Sequence, residues 1–140
     1  MIFRQPLVVP LQDVDAAGVV FFAHLFRYAH ETYEAFMREI NQPLDRLLQQ
    51  GEVLLPLVHA EADYHRPLRH GESLCMELSL AALGEGDFEL LCCCRDADGH
   101  CRAEVRTRHM AQDRRHKKRT RLPAGLYAAL QSRYSSSASA

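Results

Sequence analysis

Residues 11–40 read LQDVDAAGVVFFAHLFRYAHETYEAFMREI, and this stretch decides the fold. It opens with Asp13 and Asp15 in a short polar segment, bends at Gly18 and enters a long apolar-periodic run. Phe26, Ala29, Tyr33, Phe36, Met37 and Ile40 recur at spacings of three and four, which marks one face of a helix. Arg27 with Glu31, and Glu34 with Arg38, are opposite charges four apart. Each such pair supports a helix by roughly 0.2–0.5 kcal/mol. An acidic loop thus feeds the N-terminus of the chain's best helix. That end carries unpaired N–H groups and a partial positive charge, so a carboxylate beside it is suited to carbonyl chemistry.

Before this stretch, Ile2 to Leu11 reads as a strand, and Pro6 and Pro10 point to an edge position or irregular ends. After it, the helix is expected to stop near Asn41, because Pro43 disfavours helical geometry at the residue before it. Leu44 to Gln50 reads as a short second helix closed by Gly51. The period then changes to two. Val58, Ala60, Ala62 and Tyr64 alternate with His59, Glu61, Asp63 and His65, as in a strand with one buried face. Leu74 to Ala82, Phe88 to Cys94 and Cys101 to Thr107 repeat the alternation, separated by Pro67–Gly71, Gly84–Asp87 and the hairpin signal Asp98-Gly99. Pro123 to Arg133 reads as a closing helix with Leu126, Ala129 and Leu130 on one side.

One strand, a long helix and four closely linked strands favour antiparallel pairing. The expected class is α+β: a curved five-stranded antiparallel sheet wrapped around one long central helix. A small sheet of this kind covers its exposed edges or faces by pairing with another copy, so a homodimer or homotetramer is expected. At 140 residues the chain has the size of one domain, expected over 1–133, with a small polar tail at 134–140 expected to be disordered.

The composition is that of an ordinary globular chain, with formal net charge −1. No apolar run approaches the length of a membrane span, and MIFRQPLVVPLQD lacks a secretory signal, so a cytoplasmic location is expected. Five cysteines, three of them consecutive at Cys92–Cys94, form no paired C-x-x-C motif and read as reduced core or surface residues. Arg114, Arg115, His116, Lys117, Lys118, Arg119 and Arg121 crowd one basic segment. It has no interleaved aromatics, which argues against nucleic acid.

The segment DVDAAGVVFFAHLFRYAHETYEAF, from Asp13 to Phe36, resembles the loop-and-helix signature of the hotdog-fold acyl-CoA thioesterases. It is closest to the 4-hydroxybenzoyl-CoA thioesterase branch. Tyr64-His65-Arg66-Pro67-Leu68-Arg69-His70-Gly71-Glu72 is similar to that family's strand end, proline and Gly-acidic turn, and the basic stretch before Leu122-Pro123 falls where the family ends its last strand. The resemblance covers the chain to about Gln131. It implies that Asp15 is the catalytic carboxylate and that the backbone N–H of Phe22, at the start of the helix, is the oxyanion donor. Gly18 permits the bend. Some relatives carry histidine where Phe22 stands. Phenylalanine there, with His30, Glu31, Tyr33 and Glu34 following, looks more like the 1,4-dihydroxy-2-naphthoyl-CoA hydrolases and favours an aromatic or bulky acyl group.

Thioester hydrolysis needs a polarised carbonyl and a nucleophile, and Asp15 can attack the carbonyl or deprotonate a water. Read without the resemblance, Asp15 is a helix-capping or Asx-turn residue. Asp13 reads as structural. His24 and Tyr28, four apart, are candidates to line the pocket, or else pack in the core or at an interface. Lys117, Lys118 and Arg119 are candidates to bind the phosphates of coenzyme A, which enters as part of the substrate; no other cofactor is expected. His30 and Glu34 share a helix face, but H-E-x-x-H is absent and no metal is expected. No G-x-S-x-G elbow is present, which argues against a serine triad. Two rival readings remain: a hydratase or dehydratase on the same fold, and a non-catalytic acyl-CoA-binding protein.

Overall fold

The computed structural model describes residues 2–138. Strand β1 (Phe3–Val8) leads through a short 3-10 turn (Leu11–Asp13) and a loop into α1 (His24–Glu39). Then follow α2 (Leu44–Gln50), β2 (Val53–Leu54), β3 (Leu57–Tyr64), β4 (Ser73–Leu83), β5 (Asp87–Arg95), β6 (Cys101–Met110), β7 (Gln112–Asp113) and α3 (Ala124–Ala138). The main sheet has the order β1-β4-β5-β6-β3, antiparallel throughout, and curls around α1 as expected. A two-stranded sheet of β2 and β7, unforeseen in the sequence, lies beside it. Among the described residues no helix is long and apolar enough to cross a membrane.

The buried face of α1 is Leu25, Tyr28, Ala29, Thr32, Tyr33, Phe36 and Met37. It is turned slightly from the expected stripe, leaving Phe26 half-buried. Arg27 and Glu31 pair at 2.9 Å as expected, whereas Glu34 pairs with His30 at 3.4 Å rather than with Arg38. The helix ends before Pro43, with Asn41 in the left-handed region at φ 60°. Opposite α1, the inward residues are Leu74, Met76, Leu78 and Leu80 of β4, Phe88, Leu90, Cys92 and Cys94 of β5, and Ala103, Val105 and His109 of β6. A register shift between Leu80 and Ala82 reverses the parity of β4, so Leu83, not Ala82, packs against the core.

Three expectations are corrected. Strand β3 does not pair with its neighbour in sequence; Pro67–Gly71 carries the chain away, and β3 joins β6 at the sheet's far edge. Its expected buried face is open, because only Ala62 is half-buried while Leu57, Val58 and Tyr64 are about half exposed. Cys93 and Cys101 lie 6.1 Å apart at Cα with their sulfurs paired across the β5–β6 hairpin, a separation that suits a disulfide, so these two are not free thiols. Cys92 and Cys94 are buried, and burial pushes both thiols up to about 12. Of the 134–140 tail, residues 134–138 continue α3 and 139–140 lie outside the described residues.

Candidate active site

The loop between the 3-10 turn and α1 is a miniature hairpin. Val14 bridges Val20, and Val19 bridges Arg69. The Val20 N–H donates to the Leu68 carbonyl at 2.8 Å, and the Phe21 N–H to the Asp13 carbonyl at 3.0 Å. Gly18, at φ 78°, makes the turn in a region that L side chains seldom adopt. The Tyr64–Glu72 segment anchors this hairpin. Arg102 of β6 forks onto Glu72 at 2.8 and 2.9 Å and also bonds the Pro67 carbonyl, while Glu72 accepts the Arg69 N–H at 2.7 Å. The arginine bonds hold the Glu72 carboxyl below its ordinary range although burial opposes them.

The two aspartates take opposite environments, because Asp13 ends the 3-10 turn on the buried side whereas Asp15 opens the tight turn at Gly18 on the exposed side. Asp13 is 3% exposed. It accepts the Tyr28 hydroxyl at 2.6 Å, pairs with Arg27, and has His24 Nδ1 3.7 Å away. Burial raises its carboxyl, but the bonds from Tyr28 and Arg27 and the charge of Arg27 outweigh burial, and the net shift is downward. Asp13 is therefore a hydrogen-bonded and ion-paired strut between loop and helix, in keeping with its structural reading.

Asp15 lies on the exposed side. Its Oδ1 accepts the N–H groups of Ala17 at 2.9 Å and Val19 at 3.2 Å. Its Oδ2 has no hydrogen-bond or ion-pair partner among the described residues. One oxygen is held by the turn and the other is free. The Phe22 backbone sits two residues before the helix rather than at its first residue. No side chain caps α1, and no acidic residue occupies its first turn. The N–H groups of Phe22 and Ala23 have no acceptor among the described residues. The Tyr64 hydroxyl bonds the Phe22 carbonyl, fixing the peptide that precedes the helix. A cavity of about 310 Å³ lies there, lined by Val19, Val20, Phe22, Leu25 and Tyr64 to Leu68.

The remaining candidates sit apart. Tyr28 is 2% exposed with its hydroxyl committed to Asp13, so it is a core strut and does not line the pocket. His24 faces Asp13 and does not line the cavity beside Phe22. Lys117, Lys118 and Arg119 are exposed in the turn after β7, where the Gln112 amide bonds the Lys117 carbonyl at 3.2 Å. They do not meet Asp15 in one protomer. None of the three lines a second cavity of about 710 Å³ between the later turns of α1, α2 and β2, but Gln112, which bonds the Lys117 carbonyl, does, together with Leu57, Tyr33 and His109. His109 escaped the sequence reading. Its signal was a titratable side chain ending the otherwise apolar inward series of β6. Two clusters of metal-ligand type exist, His65–Cys101–Glu104 and Asp96–Asp98–His100. In the first Cys101 is paired with Cys93, and in the second Asp96 is committed to the Asp98 and His100 N–H groups and to Arg102.

The 1,4-dihydroxy-2-naphthoyl-CoA hydrolase of Gloeothece citriformis (strain PCC 7424) is 36% identical to this chain over 117 residues, 82% of each chain. That of Rippkaea orientalis (strain PCC 8801 / RF-1) is 40% identical over 82 residues, 59% of each chain. Matches to Synechococcus elongatus and Trichodesmium erythraeum proteins of the same name span 62% and 65% of those chains, so this chain covers less than two thirds of several curated relatives. The crystal structure of Slr0204, a 1,4-dihydroxy-2-naphthoyl-CoA thioesterase from Synechocystis, superposes with a TM-score of 0.88 at 27% identity, covering 94% of this chain and 96% of that one. Residues 9–130 match the thioesterase-like superfamily, and this chain belongs to it.

Proposed function

We propose that this protein is an acyl-CoA thioesterase that hydrolyses an aromatic or bulky acyl-CoA to the free acid and coenzyme A, with its site shared across a homodimer. The observation that carries the reading is the pairing of a half-free carboxylate, Asp15, with the uncapped start of α1. The thioester carbonyl oxygen accepts the Phe22 N–H as negative charge develops on it. A donor so placed is worth about 2.7–4 kcal/mol in the transition state. Asp15 Oδ2 either takes the proton of an attacking water or attacks the carbonyl itself. In the first route the water oxygen bonds to the acyl carbon as the C–S bond breaks. In the second the C–S bond breaks to leave an acyl–Asp15 anhydride, which a water then hydrolyses to the free acid and the carboxylate. In both the thiolate leaves and takes up the proton released from water to give coenzyme A. Gly18 sets the turn that places Asp15 before the helix.

The β3 edge supports the dimer. Pro6 lies within β1, the sheet's other edge strand, whereas β3 has no proline and presents Leu57, Val58 and Tyr64 half exposed. Antiparallel pairing of β3 with its two-fold copy sets Tyr64 of one protomer against Leu57 of the other. Tyr64 holds the Phe22 carbonyl, and Leu57 lines the 710 Å³ cavity. The copy's catalytic loop thus faces this protomer's large cavity and its basic turn, where Lys117, Lys118 and Arg119 engage the phosphates of coenzyme A. The names of the relatives support the aromatic acyl class.

His24 beside Asp13 is the kind of pair a hydratase uses, but Arg27 and Tyr28 already occupy that carboxylate. A thiol-release assay across aromatic, fatty and enoyl-CoA esters, with wild type and Asp15→Ala, tests the reading. We expect thiol release from aromatic esters by wild type and its loss in the variant. Enoyl-CoA turnover without thiol would select the hydratase, and tight acyl-CoA binding without turnover a non-catalytic binder.

A further inference from the structure

Two residues lining the large cavity carry buried polar atoms that the proposed chemistry does not use. Tyr33 is 4% exposed and His109 2% exposed, and the Tyr33 hydroxyl and His109 Nδ1 are buried without a hydrogen-bond partner among the described residues. A buried orphan of this kind costs roughly 1–3 kcal/mol. Two of them on adjacent rings, 4.4 Å apart between centroids, are unusual in a well-packed core. Both side chains line the 710 Å³ cavity, and both also line a neighbouring cavity of about 330 Å³. Elsewhere the larger cavity is walled by Leu44, Leu47, Val53, Leu55 and Pro56.

The two orphans cannot turn away to find partners. His109 is stacked on Phe88 at 5.1 Å and 17°, and its Nε2 is taken up by the Thr107 hydroxyl at 3.2 Å. Desolvation, reinforced by nearby His30 and only partly offset by the Leu55 carbonyl, which is near the ring but outside good hydrogen-bond geometry, holds His109 down to about 4, so the imidazole is neutral at pH 7. Burial and the Glu34 charge push the Tyr33 phenol up, so it keeps its proton. The wall of the cavity therefore holds a hydroxyl and one ring nitrogen, both uncharged, among aromatic and aliphatic side chains, with Glu34, Arg38 and Asp45 also on its lining. A hydroxyl-bearing aromatic ring matches that pattern: flat, apolar, and carrying groups that can both give and accept a hydrogen bond.

We infer that Tyr33 and His109 are specificity-determining residues that bind the ring hydroxyls of an aromatic acyl group, whose thioester reaches the partner protomer's catalytic loop. The inference rests on the thioesterase reading for the identity of the ligand, but it can be tested apart from turnover. The probes are the free acids 1,4-dihydroxy-2-naphthoate and 2-naphthoate, titrated calorimetrically into the full chain. Wild type should bind the hydroxylated acid at least about tenfold more tightly, the effect of one buried hydrogen bond. Tyr33→Phe, which removes a single oxygen and keeps the ring packing, should reduce that ratio several-fold, and His109→Leu should do the same. Affinity for 2-naphthoate should be unchanged or higher in both. Equal binding of the two acids by wild type, no binding of either, or a ratio that Tyr33→Phe leaves unmoved would overturn the inference. Thiol release from the two CoA esters separates the two levels. Release with no hydroxyl preference sinks the pocket assignment alone. A hydroxyl preference without release keeps the pocket and sinks the thioesterase.

Discussion

Asp13 and Asp15 look alike in the sequence, and their difference is set by which side of the chain each faces. Asp13 points inward to Tyr28 and Arg27, and Asp15 outward with one oxygen unclaimed. The structural reading of Asp13 was legible, and the signature singles out Asp15 alone as the candidate catalytic carboxylate. Tyr28 was not: its spacing from His24 fits a pocket wall and a core strut equally, and only the 2.6 Å bond to Asp13 decides for the strut. His109 gives the residue scale its pH prediction. Its folded pKa of about 4 lies below its ordinary value of 6.5. The neutral form is the one that folds, so its contribution is complete above pH 6.5 and is lost as the pH falls from there through about 4. The loss is about 3 kcal/mol. Urea unfolding at pH 7.5 and 4.5 should show this acid-side decline in wild type. In His109→Phe, which keeps an aromatic ring between Tyr33 and Phe88, the decline over that window should be much smaller.

At the scale of elements, α1 was legible because its apolar residues recur with helical period and Pro43 ends it. The β4–β5 and β5–β6 hairpins were legible from their turns, and Gly99 adopts φ 85° as Asp98-Gly99 requires. The place of β3 was not legible. Alternation says which residues share a face, but not which strand lies alongside. The pairing of β3 with β6 depends on how Pro67–Gly71 is pinned by Arg102 and Glu72, contacts between residues far apart in the chain. The open β3 edge carries its own prediction. Val58→Arg places a charge on the exposed edge strand that the proposed dimer pairs with its copy. Light scattering should show wild type as a dimer or a multiple of it and Val58→Arg as mostly monomer, with thiol release falling in parallel. A dimer of unchanged stability in the variant would place the interface elsewhere.

At the scale of the whole molecule, the acidic loop and the basic turn line no common cavity, and the proposed two-fold copy would bring them to a common substrate. The sequence marked both groups but not their relation in space. Replacing Lys117, Lys118 and Arg119 together by alanine should raise KM by about tenfold at low salt with kcat little changed, since such exposed charges contribute about 0.2–1 kcal/mol each to binding. The difference from wild type should shrink as salt rises. The central claim, that the charge of Asp15 performs the chemistry, is tested most directly by Asp15→Asn. Asparagine keeps an oxygen to accept the Ala17 and Val19 N–H groups, so the turn survives while the carboxylate is lost. Thiol release from an aromatic acyl-CoA should fall by about 10²–10⁴-fold with melting temperature and dimer unchanged. A variant that retains wild-type turnover would show that Asp15 only shapes the loop.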